Sequence, residues 1–208
     1  MTSGSASRLH KREQVVDELR AAQRRQDRRH AMITRLVWVV GLLVIGGLVT
    51  AALLSARPET GAVSQDATPF TLPLSDGGEV SLSDYAGSPV ILYFNEGAGC
   101  DSCLMQMAEI EKNPGFAEAG IAVLPIVMNT ADQINADLKR LGVTTPFALD
   151  DGTISGAYDT LGTGMHEGLP GHGFILIDAE GVQRWYGNYP SMWLAPEELL
   201  AIVTDELA

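Results

Sequence analysis

Val90-Ile-Leu-Tyr-Phe-Asn-Glu-Gly-Ala-Gly-Cys-Asp-Ser-Cys103 is the stretch that decides how this chain folds. Its first five residues, Val90 to Phe94, are β-branched, aliphatic or aromatic, the composition of a strand buried on both faces. Gly97 and Gly99 break the run, and Asp101 to Lys112 then offers good helix formers. Both cysteines of the chain, Cys100 and Cys103, therefore fall at one strand-to-helix turn. The unpaired N–H groups and dipole of a helix N-terminus stabilise an anion, which suits Cys100 to be a thiolate. A nucleophilic sulfur with a second close enough to resolve a mixed disulfide is the equipment of thiol–disulfide exchange.

Outward from this turn the pattern alternates. Pro69–Leu74 and Glu79–Leu82 flank Ser75-Asp-Gly-Gly78 and predict a hairpin. After the Cys-bearing helix, Ile121–Met128 reads as a second buried strand. Thr130–Leu141 reads as a helix, with Thr130 as N-cap. Phe147–Leu149, Phe174–Ile177 and Val182–Tyr186 are further strands, the last two joined by a turn at Asp178–Gly181. Pro196–Leu207 closes the chain as an amphipathic helix with Pro in its first turn. The expected architecture is an α/β sandwich with a mixed central sheet flanked by helices.

Charge divides the 208 residues sharply. Residues 1–35 carry nine Lys/Arg and four Asp/Glu, whereas the rest of the chain carries five Lys/Arg and 22 Asp/Glu. So acidic a main domain excludes nucleic acid as its partner class, since phosphate binding needs a basic surface. One Cys-x-x-Cys without a second pair is an incomplete structural zinc set.

Residues 36–55 contain no charge and, as a helix, would extend about 30 Å, the thickness of a bilayer's hydrocarbon core. Arg24, Arg25, Arg28, Arg29 and Arg35 precede the span, and Arg57 alone follows closely. The positive-inside rule puts the N-terminus in the cytoplasm and the following domain outside it. A cleaved signal peptide fits less well, because the polar leader is long and no clear Ala-x-Ala site follows. The expected organisation is a basic cytoplasmic segment at 1–35, a transmembrane helix at 36–55, a polar linker at 56–66 and a redox domain at 67–208. Expected partners are the lipid bilayer, the thiols and disulfides of exported proteins, and a membrane electron donor.

Thr71–Phe94, the Cys100–Cys103 turn and Gly173–Gly181 together resemble the thioredoxin-like redoxins, in particular the peroxiredoxin-like and membrane-anchored thiol–disulfide oxidoreductase branch. The resemblance implies a thioredoxin-like fold with Cys100 and Cys103 as the redox pair and no cofactor beyond it. The chain departs from the peroxiredoxin motif Pro-x-x-x-Thr-x-x-Cys: relative to Cys100, Gly97 stands at the Thr position and Tyr93 at the Pro position. Pro170 is the candidate for the cis-proline that faces the disulfide in thioredoxins, one residue early.

Three further residues are candidates for the site. Glu96 precedes the turn by four positions and could exchange a proton with Cys103, or be a solvated loop carboxylate. His166 and His172 lie in the Gly-rich loop 162–173, a candidate lid over the disulfide with either histidine as acid/base. Cys100, Cys103 and His172 would also suit copper, as in the similar Sco-type copper chaperones, although those separate their cysteines by three residues. The charge of Asp101 opposes a thiolate at Cys100, which points to a reductant or mild exchanger. The primary expectation is a membrane-anchored thiol–disulfide oxidoreductase; a copper-binding assembly factor and a peroxide reductase are its rivals.

Overall fold

The computed structural model describes residues 3–55, 57–162 and 167–208. The chain divides after Leu54 into two units. The first is a single helix, α1 (Ser3–Ser55). Its segment Met32–Leu54 is long and apolar enough to cross a membrane, by length and composition.

The second unit is built on a six-stranded mixed sheet. Its strands are β1 (Glu59–Asp66), β4 (Val90–Phe94), β5 (Ala122–Val127), β6 (Ala148–Leu149), β7 (Gly173–Ile177) and β8 (Val182–Asn188), in spatial order β1-β8-β7-β4-β5-β6. β4, β5 and β6 run parallel, while β7 is antiparallel to β4 and to β8, and β8 to β1. A separate hairpin pairs β2 (Thr71–Pro73) with β3 (Glu79–Ser81). The helices are α2 (Asp101–Lys112), the short α3 (Gly115–Glu118), α4 (Ala131–Leu141), the short α5 (Thr153–Ala157) and α6 (Pro196–Glu206).

β4 lies at the centre, and all five of its residues are fully buried. Their alternation feeds two cores. Ile91 and Tyr93 pack with Leu104 and Met107 of α2, Ile134 and Leu138 of α4, and Leu199 and Val203 of α6. Val90, Leu92 and Phe94 face the opposite way, toward Leu72 and Val80 of the hairpin, Ile154 and Tyr158. The parallel pairing of β4 with β5 and the crossover through α2 bring the C-terminal end of β4 under the first turn of α2. That end is where the cysteines are.

Residues 56–66, expected as a linker, require a correction: Glu59–Asp66 is a strand at the sheet's edge. It pairs with β8 from Glu59 opposite Asn188 to Asp66 opposite Val182, with a bulge between Ala62 and Gln65. A side chain at Gly61 would press on the half-exposed Tyr186 ring, whose Cε1 lies 2.9 Å from where the Cβ would be.

Candidate active site

The N–H groups leading into the cysteine turn find acceptors both within the turn and on distant elements. Gly97 N–H donates to Asn95 Oδ1 (3.0 Å), Ala98 N–H to Asn129 Oδ1 (2.9 Å) and Gly99 N–H to Asp137 Oδ2 (3.3 Å). Cys100 N–H then donates to the Gly97 carbonyl (3.0 Å) and closes the turn. Gly97 adopts a left-handed φ of +72°, and a Cβ there would overlap Asn129 Oδ1. The place of the family motif's Thr is therefore closed to any side chain, which accounts for the glycine.

Cys100 is the N-cap residue of α2, and its carbonyl accepts from Cys103 N–H (3.1 Å) and Leu104 N–H (3.3 Å). A disulfide joins Cys100 to Cys103 across this first turn, with Cα atoms 5.4 Å apart and the helix intact. Cys103 is fully buried and Cys100 half-buried, with Ser102 Oγ 3.4 Å from the Cys100 sulfur. An outer sulfur at a helix N-terminus and an inner one beneath it give the pair distinct roles: only the outer one meets a substrate.

Asp101 does not act as the bare negative charge expected from sequence. Arg140 of α4 takes its carboxylate in a two-pronged contact, Nη1 to Oδ2 at 3.0 Å and Nη2 to Oδ1 at 2.5 Å. This partner holds the Asp101 carboxyl below its usual range. The same guanidinium reaches Asp137 Oδ1 through Nε (3.1 Å) and Nη2 (2.8 Å).

Beneath the disulfide the buried Tyr93 hydroxyl donates to the Cys103 carbonyl (3.0 Å) and lies 3.1 Å from His172 Nδ1 and 3.4 Å from Nε2. Phe174 stacks on the Tyr93 ring at 4.6 Å and meets His172 edge-on at 5.5 Å. Burial lowers the His172 pKa to about 4, and raises the Tyr93 hydroxyl well above its ordinary value. His172 is therefore neutral at physiological pH. Its ring pairs with the Tyr93 hydroxyl beneath the disulfide.

The remaining candidates are dispersed. Glu96 and His172 share the wall of a surface cavity of about 470 Å³, with Glu59, Asp159, Asn188 and Met192 on its other sides; neither cysteine lines it. His166 lies outside the described residues. Pro170 is not a cis-proline, since no peptide bond among the described residues is cis. It forms an isolated antiparallel bridge with Leu161, and His172 stands closer to the strand entry. The ligand set of Cys100, Cys103 and His172 is not assembled: among the described residues no three His, Cys, Asp or Glu side chains are grouped to hold a metal ion.

Asn95, Asn129, Asp137 and Arg140, and the contact that Tyr93 makes with the cysteine turn, come from the structure alone. The period-2 alternation of β4 puts Tyr93 on the α2 face, and Asp137 and Arg140 share a helix face at i, i+3; those signals were present. What they would touch was not.

The AhpC/TSA family matches residues 63–186. A Mycobacterium tuberculosis protein assigned as a peroxiredoxin is 32% identical over 118 residues, covering 54% of this chain and 75% of that protein. Chloroplastic peroxiredoxin Q of Triticum aestivum is 28% identical over 131 residues, 62% of this chain and 60% of that one. Among solved structures, peroxidoxin BcpB from Mycobacterium tuberculosis superposes with a TM-score of 0.59 at 17% identity, covering 69% of this chain and 97% of that one. The bacterioferritin comigratory protein of Xanthomonas campestris does so with a TM-score of 0.57 at 19% identity, over 71% and 100%. The structural matches carry the fold, a thioredoxin-like peroxiredoxin sheet, and the sequence match carries the family: this chain, with its Cys100–Cys103 disulfide, belongs to the AhpC/TSA family of peroxiredoxin-type thiol oxidoreductases.

Proposed function

We propose that this protein is a membrane-anchored thiol peroxidase in which Cys100 reduces hydroperoxides and Cys103 resolves the product. The observation that carries the reading is the Cys100–Cys103 disulfide at the start of α2, in a chain of this family. The Cys100 thiolate attacks one peroxide oxygen and the O–O bond breaks. The departing alkoxide or hydroxide takes a proton to leave as alcohol or water, and Cys100 becomes a sulfenic acid. The Cys103 thiol attacks that sulfur, the S–S bond forms, and the sulfenic oxygen leaves as water. An external dithiol then reduces the disulfide by two exchange steps and returns both thiols. Because the two sulfurs meet across one helical turn, resolution requires no unwinding of α2.

Disulfide exchange on exported proteins, the first expectation from the Cys-x-x-Cys spacing, takes second place because the relatives are peroxiredoxins. One observation keeps it in view: the motif's Thr is replaced by Gly97, whose Cβ position is filled by Asn129. Copper binding is supported by no grouping of ligands. The exposed apolar side chains of Met32–Leu54, with arginines before them, support a membrane anchor with the N-terminus in the cytoplasm.

The test is consumption of hydrogen peroxide and of an alkyl hydroperoxide by the detergent-solubilised chain with excess dithiothreitol. Cys100→Ser is expected to abolish turnover. With dithiothreitol removed, Cys103→Ser is expected to reduce one peroxide per chain and stop at the sulfenic acid, and added dithiothreitol, whose thiol attacks that sulfur directly, is expected to restart it. No turnover of either peroxide, alongside steady reduction of a protein disulfide such as insulin's, would overturn the peroxidase in favour of the exchanger.

A further inference from the structure

Cys100 is bracketed by a single chain of charges that reaches it from the neighbouring helix. The residue before it, Gly99, gives its N–H to Asp137 Oδ2; the residue after it, Asp101, is gripped by Arg140; and Asp137 and Arg140 are joined to each other on α4. The Arg140 and Asp101 side chains are about half exposed and Asp137 about a quarter, so the network adds little to fold stability. Its placement serves something else. The residues on either side of Cys100 each bring a carboxylate to the turn, Asp137 through the Gly99 N–H and Asp101 itself; a carboxylate near a thiol disfavours its thiolate, and one guanidinium pairs with both. The other ionisable groups near the turn are Glu96, in the loop before it, and the buried Tyr93 and His172 on the Cys103 side.

We propose that Arg140 is a positioning residue for Cys100: it cancels the field of Asp101 and Asp137 at the sulfur and so sets the fraction of Cys100 present as thiolate. The inference rests on the reading that Cys100 is the nucleophile.

A charge cycle separates this electrostatic role from a structural one. Arg140→Gln leaves two uncompensated carboxylates, and Asp101→Asn leaves a guanidinium facing one. The pair Arg140→Gln/Asp101→Asn restores the wild-type net charge but breaks the two-pronged contact. The readout is the pH profile of iodoacetamide alkylation of Cys100 in the reduced full chain in detergent, with peptide mass mapping to separate Cys100 from Cys103. At pH 7 we expect alkylation about threefold to tenfold slower in Arg140→Gln, faster by a similar factor in Asp101→Asn, and close to wild type in the double variant. If both single variants shift in the same direction, or neither shifts, the proposal is overturned. Peroxide turnover is measured on the same samples: shifts as expected without turnover would sink the peroxidase and leave the Arg140 role standing, while turnover with unmoved profiles would do the reverse.

Discussion

Gly97 shows how one residue can account for a departure from a family's pattern. Its φ of +72° and the Asn129 oxygen over its α-carbon both exclude a side chain. Restoring the motif with Gly97→Thr is therefore expected to destabilise the domain by at least about 1–2 kcal/mol, from the left-handed backbone alone. It should lower peroxide turnover, measured alongside urea unfolding. Adding Asn129→Gly removes the nearest overlap but leaves the contact with Val127 Cγ1 and the backbone penalty, so it should recover only part of the loss; full recovery would show that φ carries no strain. His172 supplies a second residue-level test. Its folded pKa of about 4 lies below the unfolded value of about 6.5, so between these values the unfolded chain binds a proton that the folded one refuses. The stability due to neutral His172 is complete above about pH 6.5 and is lost as pH falls toward 4, by about 3 kcal/mol in all. His172→Gln cannot be protonated, so its Tm should fall less steeply over that window than the wild type's. Parallel curves would mean that His172 is not held neutral by the fold.

At the scale of elements, β1 is the instructive case. Glu59–Asp66 has only Gly61 and Val63 even half-buried, and β8 alone pairs with it. It is a strand held by backbone pairing at an edge, with support from Gln65 Nε2 donating to Gln183 Oε1 (3.0 Å). A chain starting at Arg57 should keep the full sheet. One starting at Ala67 should leave β8 as the edge and lower Tm by about 5 °C, which corresponds to about 2 kcal/mol in a domain of this size. Equal Tm values for the two chains would return the segment to the status of a linker. Strands β4, β5 and β7 were legible in the sequence because burial on both faces imposes an apolar run. α4 was legible from its helical spacing and from Thr130, which caps it by accepting from Gln133 N–H; in the structure Gly142 ends it in the left-handed conformation. β1 carries no such mark: its residues answer to a partner more than a hundred positions away, and Pro58, Gly61 and a polar composition resemble any connector. The site divides in the same way. Cys100 and Cys103 are local in sequence and were read from it, whereas Asn129, Asp137, Arg140 and the Tyr93–His172 pair meet them only through the sheet's crossovers. Sequence spacing records the nucleophile, and the groups that tune it come from topology.

Along the whole chain the charge changes sign at one apolar segment: a net of +5 in residues 1–35, then −17 beyond the uncharged span. In the proposed anchor, the Lys/Arg excess just before the span is the feature that favours a single orientation, with the leader on the cytoplasmic side. Expressed in bacterial cells, the full chain is expected in the membrane pellet after alkaline carbonate extraction, and a chain starting at Arg57 in the soluble fraction. Protease added outside spheroplasts should reach the redox domain and leave residues 1–31 protected. The orientation is argued from the arginines, so they supply the decisive variant. Replacing Arg24, Arg25, Arg28, Arg29 and Arg35 by glutamine removes five positive charges within about a dozen residues of the span, leaving Arg57 as the nearest flanking cation. If these charges fix the topology, part of the population should invert, and its domain should become protected from external protease. An unchanged cleavage pattern would mean that something other than these arginines orients the helix, and recovery of the wild type in the carbonate supernatant would remove the anchor altogether.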